Sequence, residues 1–107
     1  MKVVLLSARD PLQAVDATSP PAAAHHLASA GHEVVLVLLE EAVTLARDDH
    51  QGADGLRAAI AGGVRVLADG EALARRAVDR PGEGVKPTDL GEVVHLLFEW
   101  SDRQAWL

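Results

Sequence analysis

Short runs of consecutive aliphatic residues alternate along this chain with stretches whose apolar positions recur every three or four residues. The first run, residues 2–6, is apolar on both faces after Lys2 and closes at Ser7-Ala8-Arg9-Asp10-Pro11. An unbroken Val/Leu run of that length predicts a strand buried on both sides, the kind that parallel sheets use. Residues 10–19 include Pro11, Asp16, Thr18 and Ser19 and read as a loop. Ser19-Pro20-Pro21 then opens a helix, because serine caps free amides and proline presets the φ of the first helical residue. This helix runs to Ala30 and stops at Gly31, a residue suited to a left-handed helix end.

A second aliphatic run, residues 34–39, completes a βαβ unit whose crossover is expected to be right-handed. Glu40-Glu41 end it and open a short helix to Arg47, since acidic side chains favour the positive end of a helix dipole. A polar, glycine-punctuated loop over 48–55 follows, then a short helix over 56–61. Gly62-Gly63 releases that helix into a third run, Val64-Arg65-Val66-Leu67-Ala68, and Asp69-Gly70-Glu71 turns it into a helix ending near Val78. In that helix Ala72, Leu73, Ala77 and Val78 are expected to face the sheet. Val85-Lys86-Pro87 is too short and too proline-marked for a central strand, and is placed at an edge. Asp89 and Glu92 form an acidic capping pair ahead of Leu90, Val93, Val94, Leu97 and Phe98 at helical spacing. Residues 104–107 read as a short final strand. The pattern predicts one α/β domain over residues 1–107, a three-layer, flavodoxin-like (Rossmann-like) arrangement with a mainly parallel sheet of four or five strands.

Composition narrows the partners more than the fold. The formal net charge is -6, and nucleic-acid binders need a basic face, so neither nucleic acid nor an anionic membrane is expected to bind. There are no cysteines, which excludes disulfides, thiolate metal sites and cysteine nucleophiles. The apolar run at the start of the chain stops at Ser7, too early for a signal core, and a cytoplasmic protein is expected.

Candidate chemistry gathers at strand ends. Asp69, Gly70 and Glu71 follow the third strand, and Glu40 and Glu41 hold the same place after the second. In open α/β sheets ligands collect beyond the carboxyl ends of strands, so these carboxylates are the candidate acid/base or cation-binding groups. The same residues also serve simply as helix caps and dipole partners. His25 and His26 are adjacent on a helix and point about 100° apart, poor geometry for one metal. His50 sits beside Asp48 and Asp49 without a second ligand set, and His95 lies between core positions of the last helix with no nucleophile beside it. No glycine-rich phosphate loop or nucleophile elbow follows any strand, and no cofactor or metal is expected. The three aromatics, Phe98, Trp100 and Trp106, crowd the last ten residues and read either as a core edge or as anchors for another subunit.

The order of Ala30-Gly31-His32-Glu33-Val34, Leu39-Glu40-Glu41-Ala42-Val43, Ala61-Gly62-Gly63-Val64-Arg65-Val66 with Leu73-Ala74-Arg75-Arg76-Ala77-Val78, and Gly84-Val85-Lys86-Pro87 resembles the DsrE/DsrF/DsrH-like superfamily of small sulfur-relay proteins. The resemblance implies a flavodoxin-like domain that assembles into oligomers, with active subunits carrying a persulfide-accepting cysteine just after the third strand. Here that neighbourhood is Ala68-Asp69-Gly70-Glu71, so the family's reactive residue transfers to no position. It therefore implies a non-catalytic member, a homo-oligomer or a hetero-oligomer with cysteine-containing DsrE-like subunits. The alternative is a small-molecule or divalent-metal-binding enzyme that uses the strand-end carboxylates.

Overall fold

A computed structural model describes residues 1–10 and 19–107. The expected loop over residues 10–19 therefore falls, but for its ends, outside the described residues. Among the described residues five strands form one sheet: β1 (Lys2–Ser7), β2 (Glu33–Leu38), β3 (Arg65–Asp69), β4 (Val85–Thr88) and β5 (Arg103–Trp106). Their spatial order is β4-β3-β2-β1-β5, and every neighbouring pair is parallel. The helices are α1 (Pro20–Ser29), α2 (Ala53–Ala61), α3 (Gly70–Arg75) and α4 (Leu90–His95), with a 3-10 helix over Glu40–Ala46 and a π-helical turn over Leu96–Trp100.

The layers follow from the topology. From β1 to β4 each strand is added on the same side of the last, so right-handed crossovers put all the intervening helices on one face. The step from β4 to β5 returns past β1 in the opposite direction, and α4 crosses the other face. Side-chain alternation divides the core accordingly. Val3, Leu5, Val34, Leu36, Leu38, Val66 and Ala68 pack under Ala24, Leu56, Ala59 and Leu73. Val4, Leu6, Val35, Val37 and Leu67 pack on the other side under Val93 and Leu96. β2 is buried along five of its six residues because both of its faces are covered.

The edges are less buried for the same reason. β4 contributes Val85 to the core and leaves Lys86 and Pro87 exposed, as expected of an edge strand. All four residues of β5 are exposed.

Several local expectations change. Residues 40–46 adopt a 3-10 rather than an α-helix, and α2 begins three residues earlier than its apolar spacing suggested. The helix after β3 ends at Arg75 instead of Val78. Ala77 takes a left-handed φ of 55° and is exposed, whereas Val78 turns back into the core. Glycines hold two turns that a side chain would strain. Gly63 (φ 100°) leads α2 into β3, and Gly84 (φ 87°) lies where an added Cβ would stand 2.9 Å from Ile60 Cγ2.

Candidate functional site

Asp69 closes β3 and caps α3 at once. Its backbone is extended, and its Oδ2 accepts from the Ala72 amide at 3.2 Å, so the carboxylate is buried against its own helix. Gly70 is the first residue of α3. Glu71, one position on, is exposed and sits in the first helical turn.

One turn later Arg75 gathers two of the carboxylates. It donates to Glu40 Oε1 at 3.1 Å and lies 3.8 Å from Glu71 Oε2. Glu40 reaches it from the start of the 3-10 helix with a left-handed φ of 47°, unusual for a residue with a side chain. The fold thus brings Glu40 and Glu71 together, each at the start of a helix after its strand, around a guanidinium. Glu41 is exposed, and its carbonyl accepts from Thr44 Oγ1 at 2.8 Å. Two carboxylates that share one guanidinium, and a third committed to a backbone amide, do not present together the several free oxygens that a divalent ion needs. Among the described residues no three or more His, Asp or Glu side chains come together in a way that could hold a metal.

A second polar cluster forms at the carboxyl end of β1, where the strand order reverses between β1 and β5. Such a reversal is the usual place for a crevice in open α/β sheets. Ser7 ends β1 fully buried. Beyond it Asp10 receives Thr44 Oγ1 on Oδ2 at 3.2 Å and lies 3.2 Å from His50 Nε2 through Oδ1. His50 therefore turns inward, away from a role with Asp48 and Asp49. Sequence spacing held no sign of this meeting, because Asp10 comes from the connection after β1 and Thr44 and His50 from different parts of the connection between β2 and β3.

The remaining histidines carry no shared site. His25 packs near Gly62, His26 is exposed, and His95, although it lies between core positions of α4, is exposed. The three aromatics separate. Trp100 packs at the margin of the core with Lys2 Nζ 5.7 Å from its ring centroid, while Phe98 and Trp106 stand in water. A concavity of about 310 Å³ beside Trp100 opens at the amino end of the strands between Ala28, His32, Gly63 and Arg65. It lies at the opposite end of the sheet from the carboxylates.

The fold and its strand-end corner define a three-layer α/β protein with a parallel five-stranded sheet and no thiol. The chain belongs to the DsrE/DsrF-like family, whose model matches residues 1–104. Two solved structures share the fold at low identity. One is the ychN protein from E. coli (18 % identical, all of both chains covered, TM-score 0.80). The other is the MTH1491 protein of unknown function from Methanobacterium thermoautotrophicum (18 % identical, 99 % of this chain and 96 % of that one, TM-score 0.72). No curated protein matches the chain. Among the described residues no helix is long and apolar enough to cross a membrane.

Proposed function

We propose that this chain is a non-catalytic, cytoplasmic member of the DsrE-like group, an accessory or oligomeric subunit in intracellular sulfur transfer whose persulfide is carried by a related, cysteine-bearing chain. The observation that supports this reading is the corner after β3. The family fold is present, yet the position expected to carry a thiol holds Asp69 as a helix cap and Gly70 as the first helical residue, in a chain without cysteine. A persulfide cannot be formed here, so the surface around the corner is left to recognise another protein. The rival reading, an enzyme built on Glu40, Asp69 and Glu71, has less support, because Asp69 is turned to its own helix as a cap and Arg75 stands between the other two.

Isolation of the tagged chain from its native cells, followed by mass spectrometry of what accompanies it, tests the proposal. A related chain with a cysteine after its third strand, persulfidated when sulfur donor is supplied, is the expected companion. A preparation with no such chain, together with a specific heat of binding on titration with a divalent cation, would overturn it in favour of the enzyme.

A further inference from the structure

At the amino end of the sheet, two opposite charges line one cavity without meeting. The cavity, about 310 Å³, lies over the starts of β2 and β3, and Glu33 and Arg65 stand in its wall. Both are exposed, and among the described residues neither side chain makes an ion pair or a hydrogen bond.

Strand register explains how they share the space and stay apart. Val35 and Leu67 face α4, and alternation puts Glu33 and Arg65 on that same side of their strands. Arg65 is level with Val35, so Glu33 lies two residues out of step with it. A rise of about 3.3 Å per residue and a strand spacing of about 4.8 Å then set their Cα atoms on the order of 8 Å apart. That gap admits a small molecule between the two charges.

The rest of the wall has two characters. On one side stands Trp100, packed at the core margin with Lys2 Nζ 5.7 Å from its ring centroid. On the other are Ala28 and Gly62, at the ends of α1 and α2, where the last carbonyls carry partial negative charge. His32 also lines the space, but its Nδ1 is engaged by the Met1 amino group at 3.2 Å.

We infer that this cavity binds a free α-amino acid with a large apolar side chain. Arg65 donates to the carboxylate, Glu33 and the two helix ends accept from the ammonium, and the side chain lies against Trp100. Charge selects such a zwitterion. A plain anion would meet Glu33 and the helix carbonyls, and a plain cation would meet Arg65 with Lys2 beyond it, so each gains one partner and is repelled by another. Size agrees, because a cavity of this volume is at the small end of ligand sites and suits one amino acid better than a dinucleotide. The site is at the opposite end of the sheet from the corner after β3, so its occupancy does not depend on the sulfur-transfer reading.

Calorimetric titration of the purified full chain with L-leucine, L-methionine, L-phenylalanine and L-tryptophan tests the inference. At least one is expected to bind with a Kd of about 1 mM or below. If that ligand is phenylalanine, 3-phenylpropionate and phenethylamine, which lack the ammonium and the carboxylate, should bind at least tenfold more weakly, and the matching analogues apply to the other three. Arg65→Gln should weaken the amino acid at least tenfold and spare the amine, and Glu33→Gln should weaken it likewise and spare the carboxylic acid. Both side chains are exposed, so both variants should keep the parent circular dichroism spectrum. In a Trp106→Phe background, the emission of Trp100 alone should shift on binding. No heat with any of the four up to about 10 mM, an analogue as tight as its amino acid, or binding indifferent to both substitutions would overturn the inference. A chain that binds the amino acid but recruits no thiol-bearing partner would lose the accessory role and keep this site.

Discussion

His50 and Asp10, forty residues apart in sequence, meet at 3.2 Å at the carboxyl end of β1, with side chains only 8 % and 14 % exposed. The other ring nitrogen, Nδ1, accepts from the Gly52 amide at 2.8 Å. An amide can only donate, so the hydrogen-bond pattern assigns the imidazole proton to Nε2, which donates to the carboxylate. Both nitrogens are engaged, which leaves none to act as a general base. The pair ties the end of β1 to the connection between β2 and β3.

Replacing His50 by Ala is therefore expected to act on stability. It removes a donor from a poorly exposed carboxylate and an acceptor from the Gly52 amide, a loss of about 1–3 kcal/mol. Urea denaturation followed by circular dichroism measures it, and a midpoint equal to that of the unsubstituted chain would show that the contact contributes nothing.

The two ends of α3 are expected to answer differently. Asp69→Ala removes a buried cap from the first turn and should cost about 1 kcal/mol, with Asp69→Asn closer to neutral. Arg75→Ala breaks two contacts, but all three side chains are more than half exposed, and water screens such pairs, so the cost should stay under about 0.5 kcal/mol. Chemical denaturation of the three variants side by side gives the comparison. The larger loss in Arg75→Ala would mean that the corner depends on its ion pairs and not on its cap.

Gly70 supplies a test of how the corner came to be without a thiol. A Cβ built there would find its nearest neighbour outside the local helix, the Thr88 carbonyl, at 3.5 Å, an ordinary contact, and the residue does not have a left-handed φ. Gly70→Cys should therefore fold with a thermal midpoint within a few degrees of the parent and present a thiol that alkylating reagents modify. A variant that is insoluble, or whose thiol stays unreactive until unfolded, would show that the fold has closed this position.

Much of the fold was legible in the chain because its interior strands are apolar on both faces. Runs such as Val34-Val35-Leu36-Val37-Leu38 have no polar side to leave in water, which requires helices above and below and, with them, parallel pairing. Pro87 placed β4 at an edge for an equally direct reason. Helix types and ends were less legible. The 3-10 geometry of Glu40–Ala46 and the early stop at Arg75 depend on how the chain returns to the core at Leu45 and Val78, which local spacing does not encode. At the candidate site, sequence placed Glu40 and Glu71 after neighbouring strands but could show neither their approach nor Arg75 between them. The meeting of Asp10, Thr44 and His50 had no sequence signal at all, because it is created by the sheet order.

The outer rim of β4 has a consequence beyond its own strand. Pro87 has no amide hydrogen to offer there, and Lys86 would bring a buried charge to any chain that tried to pair alongside. On this side the ladder terminates, and copies of the protein cannot be threaded onto one another into a growing fibril.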